Sequence, residues 1–387
     1  MTSYRHRLVF AAACMGMLIF GIVLTALGSV LPSVMDRFAL GRAGAGGLFT
    51  LLSVGILVGS LVFGPVVDRH GYRGLLMAGI VVVLVGLQAI ALAPSVTVLA
   101  AASLLIGFGG GVLNGGTTAL VADISARRTA GLSLLGVFFG IGAFGVPLVL
   151  GLLLERFGYS AVVAGIGALL VIPLAFHAAI RFPAPKQPQG VPLRRVAAMA
   201  RDPALVLLGL ILFFESGMEI TVGGWTATYF HDELAVDPER ALYVLSLYWL
   251  GLTGGRLVLP ALLRWISPVA ALFASLALAL AGALTLIGSA TATPAAAGVL
   301  LAGAGFAAVF PIILGYVGDR YPEVSGTAFS FVLVVALAGG STLPYVTGAL
   351  GDAVGLRLSL LIVPAGLCAA ALLFLVVRRR LDLAAIP

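Results

Sequence analysis

Charged residues are scarce in this chain. Asp, Glu, Lys and Arg make up 10% of its 387 residues, whereas 61% of the residues are hydrophobic. Soluble domains carry about 25% charged residues, so a chain this apolar could not cover a surface exposed to water. The composition excludes a soluble protein and indicates a chain that crosses a membrane many times.

Cysteine and histidine are also rare, with two and four residues. Cys14 and Cys368 both lie in apolar runs, where cysteine acts as a small hydrophobe, so no disulfide framework is expected. No GxxxxGK[ST] loop occurs, which excludes ATP as the energy source. The dispersed histidines form neither a metal-ligand cluster nor a nucleophile triad. We therefore expect no enzyme, no cofactor and no metal ion.

The apolar residues fall into runs of membrane-spanning length. A spanning helix needs about 20 mostly apolar residues. Several connections between the runs are very short, so neighbouring helices are expected to be antiparallel. The sequence predicts twelve spans, at roughly 8–35, 44–66, 74–93, 96–121, 129–153, 159–181, 204–230, 240–263, 267–289, 294–317, 325–349 and 357–377.

The net charge of +7 arises from basic residues between the spans. Of the 22 Lys and Arg residues, 17 fall on the side that carries both predicted termini and five on the other side. Because cytoplasmic loops are enriched in Lys and Arg, the asymmetry predicts a multi-pass protein of the cell inner membrane with both termini in the cytoplasm. Because this distribution explains the positive net charge, we expect no nucleic-acid partner.

The two halves of the chain repeat each other. LIGFGGGVLNGGTTALVADISARR in span four matches LAGAGFAAVFPIILGYVGDRYPE in span ten, so that Gly107 pairs with Gly303 at an offset of 196. Gly158 pairs with Gly355 at an offset of 197. Parallel six-helix halves with a binding site between them are one of the known plans of transporters. We expect an N-terminal bundle at 1–181, a cytoplasmic linker at 182–203 and a C-terminal bundle at 204–387.

The turn between spans two and three, GPVVDRHGYRG, places one acid and two bases around glycines. It resembles the loop signature G-x-x-x-D-R-x-G-x-R of the major facilitator superfamily. The resemblance implies an all-α integral membrane fold, with twelve transmembrane helices in two pseudo-symmetric six-helix bundles. It also implies a cytoplasmic gate that latches one conformation, whereas the simpler alternative is a basic turn with a helix-capping acid. The gate residues are Gly64, Asp68, Arg69, Gly71 and Arg73.

Three stretches of the C-terminal half narrow the resemblance. GMEITVGGW at 217–225, YWLGLTGGRL at 248–257 and GAGFAAVFPIIL at 303–314 are similar to patterns of the fucose–galactose–glucose:proton symporter family. The resemblance implies proton-coupled uptake of a sugar or a related neutral polar solute. The N-terminal half departs from the pattern, because Gly28, Ser29 and Val112 stand where that family carries acidic residues or their partners.

Two acidic residues, Glu215 and Glu219, lie deep within predicted span seven. Residues four apart share one face of a helix, so both carboxyl groups are expected to face a cavity. Like charges this close disfavour double ionisation, and one carboxyl group that is protonated part of the time suits proton coupling. The alternatives are a bound cation, hydrogen bonds to sugar hydroxyls, and a purely structural hydrogen bond to a neighbouring helix.

Hydroxyl-bearing and aromatic residues are expected to complete the binding site, since a ligand pocket combines apolar walls with few polar groups. For Trp225 a place in the interfacial aromatic belt is an equal alternative. No Lys or Arg is expected in mid-membrane, which favours a neutral or cationic substrate over a small anion. The candidates are Thr221, Trp225, Tyr248, Trp249 and Phe310 in the C-terminal half, and Thr25, Ser29, Asn114 and Thr118 in the N-terminal half.

The leading interpretation is a secondary active transporter that works by alternating access and takes up its substrate together with a proton. The alternative is a proton-coupled exporter of drugs or metabolites, in which the two glutamates exchange protons for substrate. A membrane sensor that does not transport is less favoured, because no appended soluble domain is evident. The expected partners are a small-molecule substrate, a coupling proton and the lipid bilayer, and we expect a monomer.

Overall fold

The computed structural model describes residues 4–125, 128–183, 201–321 and 325–381. All regular structure in these ranges is helical. The helices are α1 (His6–Phe38), α2 (Arg42–His70), α3 (Tyr72–Ala91), α4 (Val96–Ile124), α5 (Arg128–Leu169), α6 (Val171–Ala179), α7 (Pro203–Asp232), α8 (Pro238–Leu262), α9 (Pro268–Gly288), α10 (Ala292–Phe306), α11 (Val309–Arg320), α12 (Ser325–Val354), α13 (Leu356–Ser359) and α14 (Ile362–Leu381).

Eleven helical stretches of the described residues are long and apolar enough to cross a bilayer. One of them, Leu134–Ala179, has 46 residues. At about 1.5 Å per residue it is about 69 Å long, roughly twice the thickness of the hydrocarbon core. Gly158 divides it with a φ of 72°, which glycine adopts without steric cost. This stretch is therefore long enough to cross twice, and the described residues supply the twelve spans that the sequence predicts.

The backbone repeats at the glycine that the sequence repeat pairs with Gly158. Gly355 has a φ of 85° and a ψ of 154°, against 72° and 160° at Gly158. Each glycine turns the chain at the same point of its half, between the fifth and the sixth crossing. The internal repeat is thus a repeat of backbone conformation as well as of sequence.

Close helix crossings repeat in the same way. A Cβ atom on Gly107 would lie 2.1 Å from the Leu52 carbonyl oxygen, and one on Gly303 would lie 2.1 Å from the Tyr248 carbonyl oxygen. Both members of the contact are offset by 196 residues. Only glycine lets the backbones of α2 and α4, and of α8 and α10, approach this closely.

The helix contacts form two bundles, α1–α6 and α7–α14. Within them α2 packs on α4 as α8 packs on α10, and α1 packs on α5 as α7 packs on α12. Between them α1 meets α7, α2 meets α12 and α5 meets α8. The linker boundaries 182–203 stay a prediction, since 184–200 lie outside the described residues.

The two bundles are tied together on the face opposite to the chain termini. Asp352 at the end of α12 accepts hydrogen bonds of 2.8 Å from the backbone N–H groups of Arg42 and Ala43, which caps the first turn of α2. The Arg42 guanidinium lies 3.3 Å from Asp232 and 3.7 Å from Glu233 at the end of α7. We refer to Arg42, Asp232, Glu233 and Asp352 as the Arg42 cluster.

Deeper in the molecule, hydroxyl groups of α2 continue this connection. Thr50 donates to the Ser341 carbonyl at 2.7 Å and Ser53 donates to the Gly340 carbonyl at 3.1 Å. The bonds between the bundles therefore extend from the face opposite to the termini to about the middle of α12.

Candidate functional site

Glu215 and Glu219 lie near the middle of the 30-residue helix α7, and both are buried. Residues four apart lie on one face of a helix, so the two carboxyl groups share a face of α7. Ser216 donates to Oε2 of Glu215 at 3.1 Å, whereas Oε1 of Glu215 has no hydrogen-bond partner among the described residues. Two neighbouring carboxylates repel each other, so a proton on one of them stabilises the pair.

A basic residue faces this pair. The Nη2 atom of Arg256 lies 3.5 Å from Oε2 of Glu219, and 27% of the Arg256 side chain remains exposed. Arg256 belongs to α8, six residues before its last residue, Leu262. Helical side chains lean toward the N-terminus of their helix, so the guanidinium reaches back toward mid-membrane.

This position of Arg256 corrects one expectation from the sequence. No Lys or Arg was expected in mid-membrane, although predicted span eight, 240–263, contains Arg256 near its end. The expectation was wrong, because Glu219 balances the charge of Arg256 inside the protein. The argument against a small anionic substrate therefore no longer holds.

An aromatic wall borders the charged residues. The Cζ atom of Arg256 lies 5.6 Å from the centroid of the Phe139 ring, which is a cation–π distance. Phe139 meets the Trp249 ring edge to face at 6.2 Å and lies 5.6 Å from Phe20. Trp249 in turn contacts Tyr248 at 5.1 Å. We call Glu215, Glu219 and Arg256 the charge cluster, and Phe20, Phe139, Tyr248 and Trp249 the aromatic wall.

The site draws on both bundles. Phe20 comes from α1 and Phe139 from α5, whereas the charge cluster, Tyr248 and Trp249 come from α7 and α8. Tyr248 also fixes α8 to α7, because its hydroxyl donates to the Glu219 carbonyl at 3.2 Å. A ligand held here would touch both halves, as alternating access requires.

Sequence reasoning missed Arg256, Phe139 and Phe20. Arg256 carried a usable signal, because it lies seven residues after Trp249 and so on the same helix face. A buried pair of acids also calls for a nearby base. Phe139 and Phe20 carried none, since they are two of 21 phenylalanines.

Trp225 lies at the contact between the bundles. Its Nε1 donates to the Pro344 carbonyl at 3.1 Å, and its ring lies 6.0 Å from that of Phe49. The side chain is fully buried, so it does not belong to an exposed aromatic belt. Trp225 joins the halves and has no hydrogen bond or ring contact with the charge cluster among the described residues.

The predicted hydroxyl groups are buried and bonded within their own helices. Thr221 donates to the Gly217 carbonyl, Thr25 to the Gly21 carbonyl and Ser29 to the Thr25 carbonyl. Each hydroxyl retains only acceptor capacity for a ligand. Among the described contacts, no hydrogen bond or ring contact joins the charge cluster to the half-buried residues Asn114, Thr118 and Phe310.

The glycine turn between α2 and α3 has the predicted tight geometry, since Gly71 has a φ of 80°. Arg73 is exposed, and its guanidinium donates to the Ala178 carbonyl at the end of α6. The side-chain environments of Gly64, Asp68 and Arg69 lie outside the described residues. The gate role of this turn stays a prediction.

A separate cavity of about 640 Å³ opens near the termini, between the ends of α8, α9, α11 and α14. Asp319, Arg378 and Tyr316 line it, and no residue of the charge cluster does. No group of three metal-ligating side chains occurs within the described ranges.

Comparisons with known proteins give relatives along most of the chain. An uncharacterized transporter y4wD of Sinorhizobium fredii is 27% identical over 364 residues, covering 90% of this chain and 92% of the relative. The 3-(3-hydroxy-phenyl)propionate transporter of Escherichia coli is 26% identical, covering 69% of this chain and 68% of the relative. The 4-hydroxybenzoate transporter PcaK of Pseudomonas aeruginosa is 29% identical over 42% of this chain and 37% of its own.

Solved structures share the fold. A bacterial homolog of the human lysosomal transporter Spinster, in an inward-facing and unoccupied conformation, superposes with a TM-score of 0.78 at 16% identity, covering 97% of both chains. The family model of the Major Facilitator Superfamily matches residues 13–343. This match covers most of the chain and agrees with the two repeated six-helix bundles and with the transporter relatives. The protein is therefore a transporter of the Major Facilitator Superfamily.

Proposed function

We propose that the protein takes up small aromatic carboxylates together with protons, by alternating access. The observation that carries this proposal is Arg256, a partly exposed guanidinium between a carboxyl pair and an aromatic wall. Two relatives are named as transporters of 3-(3-hydroxy-phenyl)propionate and 4-hydroxybenzoate, which are both aromatic acids. The proposal takes the place of the sugar implied by the narrower family resemblance.

The chemistry of the site favours an aromatic acid over a sugar. A guanidinium binds a carboxylate through two parallel, charge-assisted hydrogen bonds. The rings of Phe139 and Trp249 surround Arg256 with aromatic groups, which favour packing with a flat apolar ring. A sugar needs many free polar groups, but the hydroxyls of Thr25, Ser29 and Thr221 already donate within their own helices.

The ion pair between Arg256 and Glu219 supplies a coupling mechanism. Glu219 is the carboxylate that faces Arg256. When a substrate carboxylate takes the guanidinium, Glu219 becomes a buried charge without a partner beside Glu215, which is unfavourable. Glu219 therefore binds a proton as the substrate binds, and one anion and one proton move together.

The two faces of the molecule support an orientation in the membrane and a conformation. The basic side with the termini is proposed to be cytoplasmic. The Arg42 cluster ties the bundles together on the opposite face, so this conformation is proposed to be open to the cytoplasm. The bundles 1–181 and 204–387 then rock about the charge cluster, in a monomer whose gate includes the turn at 64–73.

Uptake assays test the proposal directly. Cells that express the protein should accumulate labelled 4-hydroxybenzoate, and a protonophore should abolish the accumulation. Labelled hexoses serve as the comparison, and cells with Arg256→Gln serve as the matched control. Accumulation of a hexose without any aromatic acid would overturn the proposal. Resistance to cationic dyes without uptake of either class would favour the exporter.

A further inference from the structure

Among the residues that the structure describes, the indole N–H of Trp249 has no hydrogen-bond partner. The side chain is 2% exposed, and its Nε1 is buried without an acceptor among the described residues. Buried polar groups in proteins are nearly always paired. The chain pairs its other buried indole, since Trp225 donates to the Pro344 carbonyl. Trp249 is therefore an exception that calls for a specific acceptor.

The Trp249 ring is held in place by its neighbours. Tyr248 lies against it at 5.1 Å and Phe139 at 6.2 Å, both edge to face. On the third side, a Cβ atom on Gly223 would lie only 2.9 Å from the indole Cζ2. The ring cannot turn toward a distant acceptor without displacing these contacts, so an acceptor must come to the N–H group.

Trp249 lies on the same face of α8 as Arg256. The two residues are seven positions apart, which is about two turns or about 10 Å along the helix. Both contact Phe139: the Arg256 guanidinium lies over its ring, and the Trp249 ring is nearly perpendicular to it. The hydroxyl of Thr253 between them already donates to the Trp249 carbonyl at 2.7 Å. A flat acid that lies along Phe139 with its carboxylate at Arg256 extends toward Trp249.

We propose that Trp249 determines specificity by donating its indole N–H to a ring hydroxyl oxygen of the substrate. The protein then selects hydroxylated aromatic acids over unsubstituted ones. This inference rests on the proposed function and adds the second polar anchor of the same site. A site built to bond a hydroxyl rejects an analogue that lacks it, because the buried donor is left unpaired.

The test compares matched substrates and matched variants of the full chain in proteoliposomes. KM is measured for 4-hydroxybenzoate and for benzoate with the wild type, with Trp249→Phe and with Trp225→Phe. The wild type should prefer the hydroxylated acid by about tenfold, the effect of one hydrogen bond. Trp249→Phe should lose the preference, and Trp225→Phe should keep it whatever its absolute rate. An equal preference in the wild type and in Trp249→Phe would overturn the inference.

A second measurement needs no variant. The wild-type protein is given 4-hydroxybenzoate, 4-methylbenzoate and 4-aminobenzoate, whose ring substituents are similar in size. Only the hydroxyl is a good acceptor, so 4-hydroxybenzoate should have the lowest KM. Equal KM values for the three acids would show that the substrate does not accept a hydrogen bond from the Trp249 indole N–H. This result would overturn the inference and leave the proposed function intact. Transport of hexoses and of none of these acids would overturn both.

Discussion

Replacing Arg256 with Gln removes the only charge of the charge cluster that can bind an acid. The lost interaction is a charge-assisted hydrogen-bonded pair, worth about 1.5–3 kcal/mol. Because each 1.4 kcal/mol is about tenfold in affinity, KM for 4-hydroxybenzoate should rise about 10- to 100-fold. Arg256→Lys keeps the charge but loses the planar fork, so its KM should lie between those of the wild type and Arg256→Gln.

The same substitution changes the response to protons. Glu219 loses the base that lies 3.5 Å away, so its carboxyl group should keep its proton through the cycle. Initial uptake rates in proteoliposomes over a range of external pH measure both effects. Arg264→Gln serves as the control, because Arg264 is an exposed arginine just beyond α8. A KM for Arg256→Gln equal to that of Arg264→Gln would refute the assignment of Arg256 as the carboxylate anchor.

Three further predictions concern coupling, packing and the conformational cycle. Glu219→Gln should abolish proton-driven accumulation but retain substrate exchange in counterflow, and unchanged accumulation would exclude Glu219 from coupling. Gly251→Ala should lower the melting temperature, because its Cβ atom would lie 2.4 Å from the Leu300 carbonyl oxygen. Gly254→Ala should leave the melting temperature unchanged, because there is open space around Gly254. Equal melting temperatures of the two variants would contradict the packing account. Asp352→Ala removes the cap of α2, which is worth about 1 kcal/mol. Spin-label distances across the face opposite to the termini should therefore show about fivefold more of the state that is open on that face. An unchanged population of this state would speak against the Arg42 cluster as a closing contact.

The spans and the repeat could be predicted because they are local properties of the sequence. The length of an apolar run sets the number of crossings, as the double-length stretch divided by Gly158 shows. The pairing of Gly107 with Gly303 follows from a constant offset, and the structure realises it as the same close backbone contact in both halves.

The residues that form the site were harder to predict than the spans, because they depend on which helix faces meet. Arg256 lies near the end of its predicted span, where a basic residue usually reaches toward the membrane surface, but its side chain extends inward to Glu219. Phe139 becomes a wall of the site only because α5 packs on α8. Trp225 is an aromatic residue of the kind that lines binding sites, but its indole N–H donates to the Pro344 carbonyl where α7 meets α12.

The most direct test of the central claim is whether an aromatic acid and a proton move together through the charge cluster. Proteoliposomes that enclose a pH-sensitive dye are given 4-hydroxybenzoate outside, and internal acidification is followed together with uptake. We predict that the wild type acidifies the lumen in step with uptake, well above the passive rate in liposomes that carry Glu219→Gln. Uptake without acidification above that rate, or acidification driven by a hexose and not by the aromatic acid, would contradict the account.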